Sequence, residues 1–400
     1  MKSRIVFIEN YSREQAWQDR RFIMELISPA VMQLTGQPVE PLIDTVKDLP
    51  VLLHFQKLVP GGWEKHYFEL PSPATAWLER RFGSPRLVIS YEMPVWLRRF
   101  LDTRHIPWID IRLSPLRFSH DLMLAVRSSC RALQAHLLAH QIPLSTIRLH
   151  ATQMQASARR LIRLQAPGSV AGFSNSLVFI GQTVSDAALL APPRRILTLS
   201  DFAEQIKALA ADRSRIYYHP HPYAAEHALR EAENLKNITG HSVSLTGLET
   251  ASLLALEGDV KLTGISSGLL QEAEYFGLKT HPLYPPVCPL EGDEACAQYY
   301  IDDLMNTRFW EGILAEGRST YRAGPGHANR LRHLHNLWFS YGSYMRERNE
   351  NQVLEHRLAR VEHVCYELSQ RQYGWRRLSR AIRYRIFPEK KLKSLFRSDG

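Results

Sequence analysis

Four hundred residues, 44% apolar and 22% charged, form the composition of an ordinary folded protein with room for two or three domains. The formal charge is +10, but ten Lys/Arg against two acids fall between Arg371 and Gly400, leaving only +2 for the residues before them. That balance argues against a nucleic-acid-binding body. No apolar run nears the roughly 20 residues of a membrane span, and four scattered cysteines without C-x-x-C spacing fit neither a zinc site nor a disulfide framework.

In chain order, Arg4–Glu9 reads as an opening strand rather than a signal peptide. Strands are expected at Ile5–Ile8, Val51–Phe55, Leu87–Ser90, Trp108–Asp110 and Ile147–His150. Helices are expected at Arg13–Thr35, Ala74–Arg81, Pro94–Thr103 and His120–His140. The pattern then repeats. Strand Leu177–Ile180 precedes helix Leu199–Ala211, and strand Ile216–Tyr218 precedes helix Ala224–Leu235. Strand Ser242–Leu245, helix Glu249–Leu256, strand Val260–Thr263, helix Leu269–Phe276 and strand Thr280–Tyr284 follow. Such alternation implies an α/β fold of mostly parallel, doubly wound sheets. The expected organisation is two Rossmann-like domains, 1–175 and 176–325, facing a cleft in a GT-B-like arrangement.

Beyond them, 326–370 reads as a helical crossover in which Leu354, Leu358, Val361, Cys365 and Leu368 make a short a/d seam, packed back on the domains, joining a homodimer or forming a solvated linker. The final segment, 371–400, interleaves cations with Trp375, Leu378, Ile382, Tyr384, Phe387 and Phe396, the composition of a helix docked on an anionic membrane face, with a solvated basic tail or a nucleic-acid contact as the alternatives. The expected location is cytoplasmic, peripheral at the inner face of the inner membrane.

Three stretches of the second half carry chemistry. Leu177–Ile180 ends at Gly181, followed by the polar Gln182 and Asp186, at the carboxyl strand end where open α/β sheets bind ligands. Asp186 has four uses open to it: holding a loop, binding a sugar hydroxyl, acting as base or acting as nucleophile. His219 and His221 sit in a turn stiffened by Pro220 and Pro222, able to meet a leaving phosphate; a metal site would need a third ligand that is not near in sequence. Ser266 and Ser267, between Gly264 and Gly268 at a helix start, suit a phosphate site or a simple N-cap. Glu272, five residues beyond Ser267, is a ribose ligand or an exposed helical carboxylate.

These residues resemble a known family. Gly181-Gln182-Thr183-Val184-Ser185-Asp186-Ala187, then Tyr218-His219-Pro220-His221-Pro222, then the serine pair, are similar in order and context to the motifs of bacterial β-Kdo transferases of the capsule (KpsC) and O-antigen (WbbB) types. The match covers about 177–285. His219 stands where the family often has lysine, so His221 matches the family histidine. Ser90-Tyr91-Glu92 and Ile106–Arg112 loosely resemble the acceptor-side segments, with Ile109-Asp110-Ile111-Arg112 where capsule enzymes carry an Glu-Asp-Gly-Phe-like run.

The resemblance implies a retaining enzyme whose first domain binds acceptor and whose second binds CMP-β-Kdo. It implies that Asp186 forms a covalent sugar adduct, with His219, His221, Ser266 and Ser267 on the leaving CMP. Gly181, Gln182, Gly264 and Glu272 complete the donor site, and Glu92 is the acceptor-side base. No metal or other cofactor is expected, and the acceptor is a polysaccharide or glycolipid. The histidine–proline and serine motifs also occur in bacterial sialyl- and polysialyltransferases, so an inverting CMP-sialic acid enzyme is the alternative. A glycan-binding scaffold with a degenerate site is the second.

Overall fold

The computed structural model describes residues 4–11, 17–44, 48–61, 63–119, 121–165, 171–183, 186–221, 224, 227–314 and 321–324. The expected coiled seam and basic tail lie outside the described residues, as does the start of the first helix.

The first half runs β1 (Ile5–Ile8), α1 (Trp17–Thr35), β2 (Glu40–Pro41), α2 (Leu49–Leu58), α3 (Ser72–Phe82), β3 (Leu87–Tyr91), α4 (Val95–Thr103), β4 (Trp108–Leu113), β5 (Met123–Ser128), α5 (Arg131–His140) and α6 (Leu144–Gln165). β2, β1, β3 and β4 pair in parallel, and β5 adds antiparallel to β4. Strands β1 and β3 are buried at every position, as sheets covered on both faces require. Their main cover on one side is a cluster that includes Leu52, Phe55, Trp77, Leu78, Trp96, Leu97 and Phe100.

Three local expectations fail here, the first two because short apolar runs do not reveal their period. Val51–Phe55 lies in α2, where Leu52, Phe55 and Val59 are buried at steps of three and four and Pro50 sits in the first turn. Ile147–His150 lies in α6, with Ile147, Ala151, Met154 and Ala158 turned inward. The helix expected over His120–His140 divides into β5 and α5 around a turn at Ser128–Cys130.

The second half runs β6 (Ser176–Ile180), the hairpin β7 (Leu190–Ala191) and β8 (Arg195–Ile196), α7 (Ala203–Ala210), β9 (Arg215–His219), α8 (Ala228–Thr239), β10 (Val243–Leu245), α9 (Thr250–Leu254), β11 (Val260–Gly264), α10 (Gly268–Tyr275) and β12 (Lys279–Pro282). Its sheet is wholly parallel in the order β10-β9-β6-β11-β12. Taken from β6, that is the order 3-2-1-4-5 of a Rossmann sheet, whose crevice opens between β6 and β11.

The chain then returns. β13 (Ala297–Tyr300) pairs antiparallel with β5, and α11 (Ile301–Leu304) and α12 (Thr307–Leu314) follow, α12 lying against α1. Residues 297–314, expected in the second half, therefore belong to the first sheet and its cover. The halves meet at the carboxyl strand ends of both sheets and along α6, whose Gln155 donates to the Phe276 carbonyl at 2.8 Å and whose Arg159 pairs with Glu257 at 3.1 Å. Pro115, just after β4, lies against Gly268 at the start of α10, where an added Cβ would be 3.1 Å from the proline. The two Rossmann-like sheets thus face each other across a cleft, the GT-B-like arrangement.

Candidate active site at the facing strand ends

Two glycines let the second sheet close up at its switch point. A Cβ on Gly264 would lie 2.9 Å from the Ile180 carbonyl, and one on Gly181 would lie 2.8 Å from Tyr218 Cζ and 3.1 Å from the His219 carbonyl. Gly264 therefore serves the approach of neighbouring backbone, and Gly181 that of the Tyr218 ring and the His219 carbonyl.

From this point Gln182 reaches across to β11. Its Oε1 accepts the Ser266 N–H at 2.9 Å, and its Nε2 lies 3.4 Å from Ser266 Oγ. The Ser266 hydroxyl donates to the Ala188 carbonyl at 2.5 Å. Asp186 caps the same short turn: its Oδ1 accepts the Ala188 N–H at 2.9 Å. One residue, Ala188, therefore ties the half-buried Asp186 to the serine pair. The other Asp186 oxygen makes no hydrogen bond among the described residues. Ser266 is 4% exposed with both polar groups engaged inside the protein, so its part is structural. Ser267, the N-cap of α10, is half-buried and its hydroxyl makes no capping bond. It is the serine left to meet a ligand, beside the unpaired N–H groups of the helix start.

The histidines divide similarly. His219, buried at the end of β9, holds Thr246 Oγ1 at 2.7 Å through Nδ1. Burial, with the His221 ring nearby, pulls its pKa down to about 4. His221 is half-buried; burial lowers its pKa too, against the pull of the Asp186 carboxylate. Both imidazoles are therefore neutral at neutral pH, able to donate hydrogen bonds rather than protons. Among the described residues no three His, Cys, Asp or Glu side chains cluster as a metal site would require.

Glu272 differs from its expected role. It is 3% exposed, and its Oε1 accepts the backbone N–H groups of Arg117 and, at 3.1 Å, Phe118. It pins the loop after β4 onto α10, which joins the halves.

On the first half, Glu92 follows β3 at that sheet's own switch point, between β1 and β3, with the buried Glu9 and Asn10 after β1. Its backbone is left-handed, φ 52°, a conformation costly for a residue with a side chain. A buried ion pair holds it there. Asp110 Oδ2 accepts from Arg112 Nε at 2.7 Å, Asp110 Oδ1 takes the Met93 N–H at 2.8 Å, and Arg112 Nη2 donates to the Met93 carbonyl at 2.7 Å. Breaking such a pair costs on the order of 3–5 kcal/mol.

The sequence reading missed a wall beside Asp186. Trp63, Tyr67 and Phe68 of the first half pack with Leu190 and Ala187 of the second. The signal was the aromatic-rich Trp63–Phe68 stretch following Gly61-Gly62. Glu9, Asn10 and Thr246 were missed as well; single polar residues at strand ends have no pattern.

No family model matches this chain, and no curated protein matches it. Among solved structures, KpsC of Thermosulfurimonas dismutans, a beta Kdo 2,7 transferase, is 13% identical with a TM-score of 0.36, covering 76% of this chain and 90% of that one. The E. coli heptosyltransferase WaaC with ADP-2-deoxy-2-fluoro heptose is 14% identical with a TM-score of 0.24, covering 78% and 99%. With TM-scores this low, neither likeness bears on function; that rests on the topology and the site.

Proposed function

We propose that this chain is a retaining glycosyltransferase that moves Kdo from CMP-β-Kdo to a bacterial surface polysaccharide or glycolipid. The observation that carries the reading is Asp186: a carboxylate with one oxygen held by Ala188 and the other without a hydrogen bond among the described residues, tied to the serine pair and within electrostatic reach of His221.

In the first step the uncommitted Asp186 oxygen attacks the anomeric carbon, and the bond to the CMP phosphate breaks with its electron pair going to the phosphate. Ser267, the α10 N-terminus and the neutral imidazoles of His219 and His221 receive that charge by hydrogen bonding. Kdo has no C3 substituent to assist, so an enzyme carboxylate is chemically apt. In the second step Glu92 takes the acceptor hydroxyl's proton, and the acceptor oxygen displaces Asp186. Two inversions give retention.

The reading also assigns the acceptor to 1–175 and the donor to 176–325, and leaves membrane docking to the basic tail at the inner face of the membrane. The test is a donor screen with CMP-Kdo and CMP-sialic acid, followed by NMR of the product's anomeric configuration. Transfer of Kdo with retention supports the proposal. Transfer of sialic acid with inversion replaces it, and no release of CMP from either donor leaves a glycan-binding scaffold.

A further inference from the structure

Arg98, Arg112 and Arg127 converge on the first half beside Glu92, and the carboxylates there leave Arg98 without a hydrogen bond among the described residues. Both Asp110 oxygens are engaged, one by Arg112 and one by the Met93 N–H. Arg127, which faces Asp110 across the β4–β5 ladder, turns to the exposed Glu294 at 2.9 Å. Arg98, projecting from α4, is left with Asp110 at 3.9 Å and the face of Trp108, 5.5 Å from the ring centroid. Its Nε is buried and has no hydrogen-bond partner among the described residues. About a quarter of the side chain, 24%, stays open to solvent. Asp110, Glu294 and Glu92, which lies within electrostatic reach of Arg112, match the three guanidinium groups in charge, but none of them hydrogen-bonds Arg98, which stays partly desolvated with its Nε donor unmet.

Such a group attracts an oxyanion. A planar fork with free N–H groups matches a carboxylate or phosphate, and a site shielded from water strengthens the attraction. The position says whose anion. Arg112 grips the Met93 carbonyl next to Glu92, and both Arg98 and Arg112 lie within electrostatic reach of Tyr67, in the aromatic wall beside Ala187. Donor phosphate chemistry belongs to the other half.

We propose that Arg98, backed by Arg127, is an anion subsite that reads a carboxylate or phosphate on the acceptor, so that this enzyme selects acidic acceptors. The substrate assignment rests on the transferase reading; the anion site does not.

The test therefore needs no turnover. The full chain, labelled with fluorotryptophan, is titrated with sodium phosphate and separately with D-glucuronate at constant ionic strength. The Trp108 signal is assigned by its loss in Trp108→Phe. A saturable shift of that signal is expected, weakened about ten-fold in Arg98→Gln, part-restored in Arg98→Lys, and kept in Ser267→Ala, which removes the donor-side hydroxyl. A stronger response to phosphate than to glucuronate assigns a phosphorylated acceptor, and the reverse a sugar acid. No saturable shift in the unaltered chain, or the same shift in Arg98→Gln, overturns the proposal. If the shift occurs as expected while CMP-Kdo is never used, the anion site stands and the transferase reading falls.

Discussion

Gln182 accepts the backbone N–H of Ser266 at 2.9 Å, fastening the end of β6 to the end of β11 across the switch point. The bond matters because Ser266 in turn holds Ala188, and Ala188 holds Asp186. Replacing Gln182 by Ala removes two part-buried hydrogen bonds, about 1 kcal/mol of stability each. The larger effect is expected in turnover, since a carboxylate allowed to drift loses its attack geometry. We expect kcat to fall about 100-fold with donor KM little changed; a fall in donor affinity alone would instead make Gln182 a ligand.

Gly264→Ala places a methyl group 2.9 Å from the Ile180 carbonyl, backbone that has nowhere to go. Overpacking of this kind costs about 1–3 kcal/mol. Chemical denaturation should show that loss, and the variant should bind CMP more weakly because β6 and β11 are pushed apart.

The low pKa of His219 makes stability depend on pH. The folded chain keeps the ring neutral down to about 4, whereas the unfolded chain protonates it near the ordinary 6.5. This contribution is whole above pH 6.5 and declines as pH falls toward 4. At pH 5 the loss is about 2 kcal/mol relative to pH 7.5. Denaturation midpoints across that range should show it, and His219→Gln should flatten the dependence. An unchanged slope would mean the ring is not buried as described.

Glu272→Gln leaves one acceptor oxygen but loses the charge that holds the Arg117 and Phe118 N–H groups. A loss of about 1–3 kcal/mol is expected, with CMP affinity unchanged. A selective loss of CMP affinity would restore the ribose role.

Chelation separates two ways of meeting phosphate charge. With neutral imidazoles, Ser267 and a helix N-terminus as donors, turnover should survive excess EDTA. Loss of rate on chelation and recovery with a divalent cation would require a metal in the donor complex.

The fold class was legible because alternating strands and helices force parallel, covered sheets, and β6, β9 and β11 announced themselves through apolar runs ending in glycine or polar residues. Where a short apolar run lacked a visible period, as at Val51–Phe55 and Ile147–His150, the sequence did not distinguish strand from helix. The return of 297–300 to the first sheet was invisible, since β13 pairs with a strand about 170 residues earlier. At the site, residue types and order singled out Asp186, the histidines and the serines, which the fold brings to neighbouring strand ends, but gave no sign of how their contacts differ. Ser266 and Ser267 differ only in where a turn points them. The arginine cluster needed three elements folded together before the unmet Arg98 donor could be seen.

The most direct test of the central claim is intact-protein mass spectrometry after incubation with CMP-Kdo and no acceptor. The unaltered chain should gain the mass of one dehydrated Kdo residue, carried on the peptide containing Asp186, and Asp186→Ala should gain nothing and transfer nothing. Kdo transfer by Asp186→Ala, or transfer by the unaltered chain with inversion and no adduct, would contradict it.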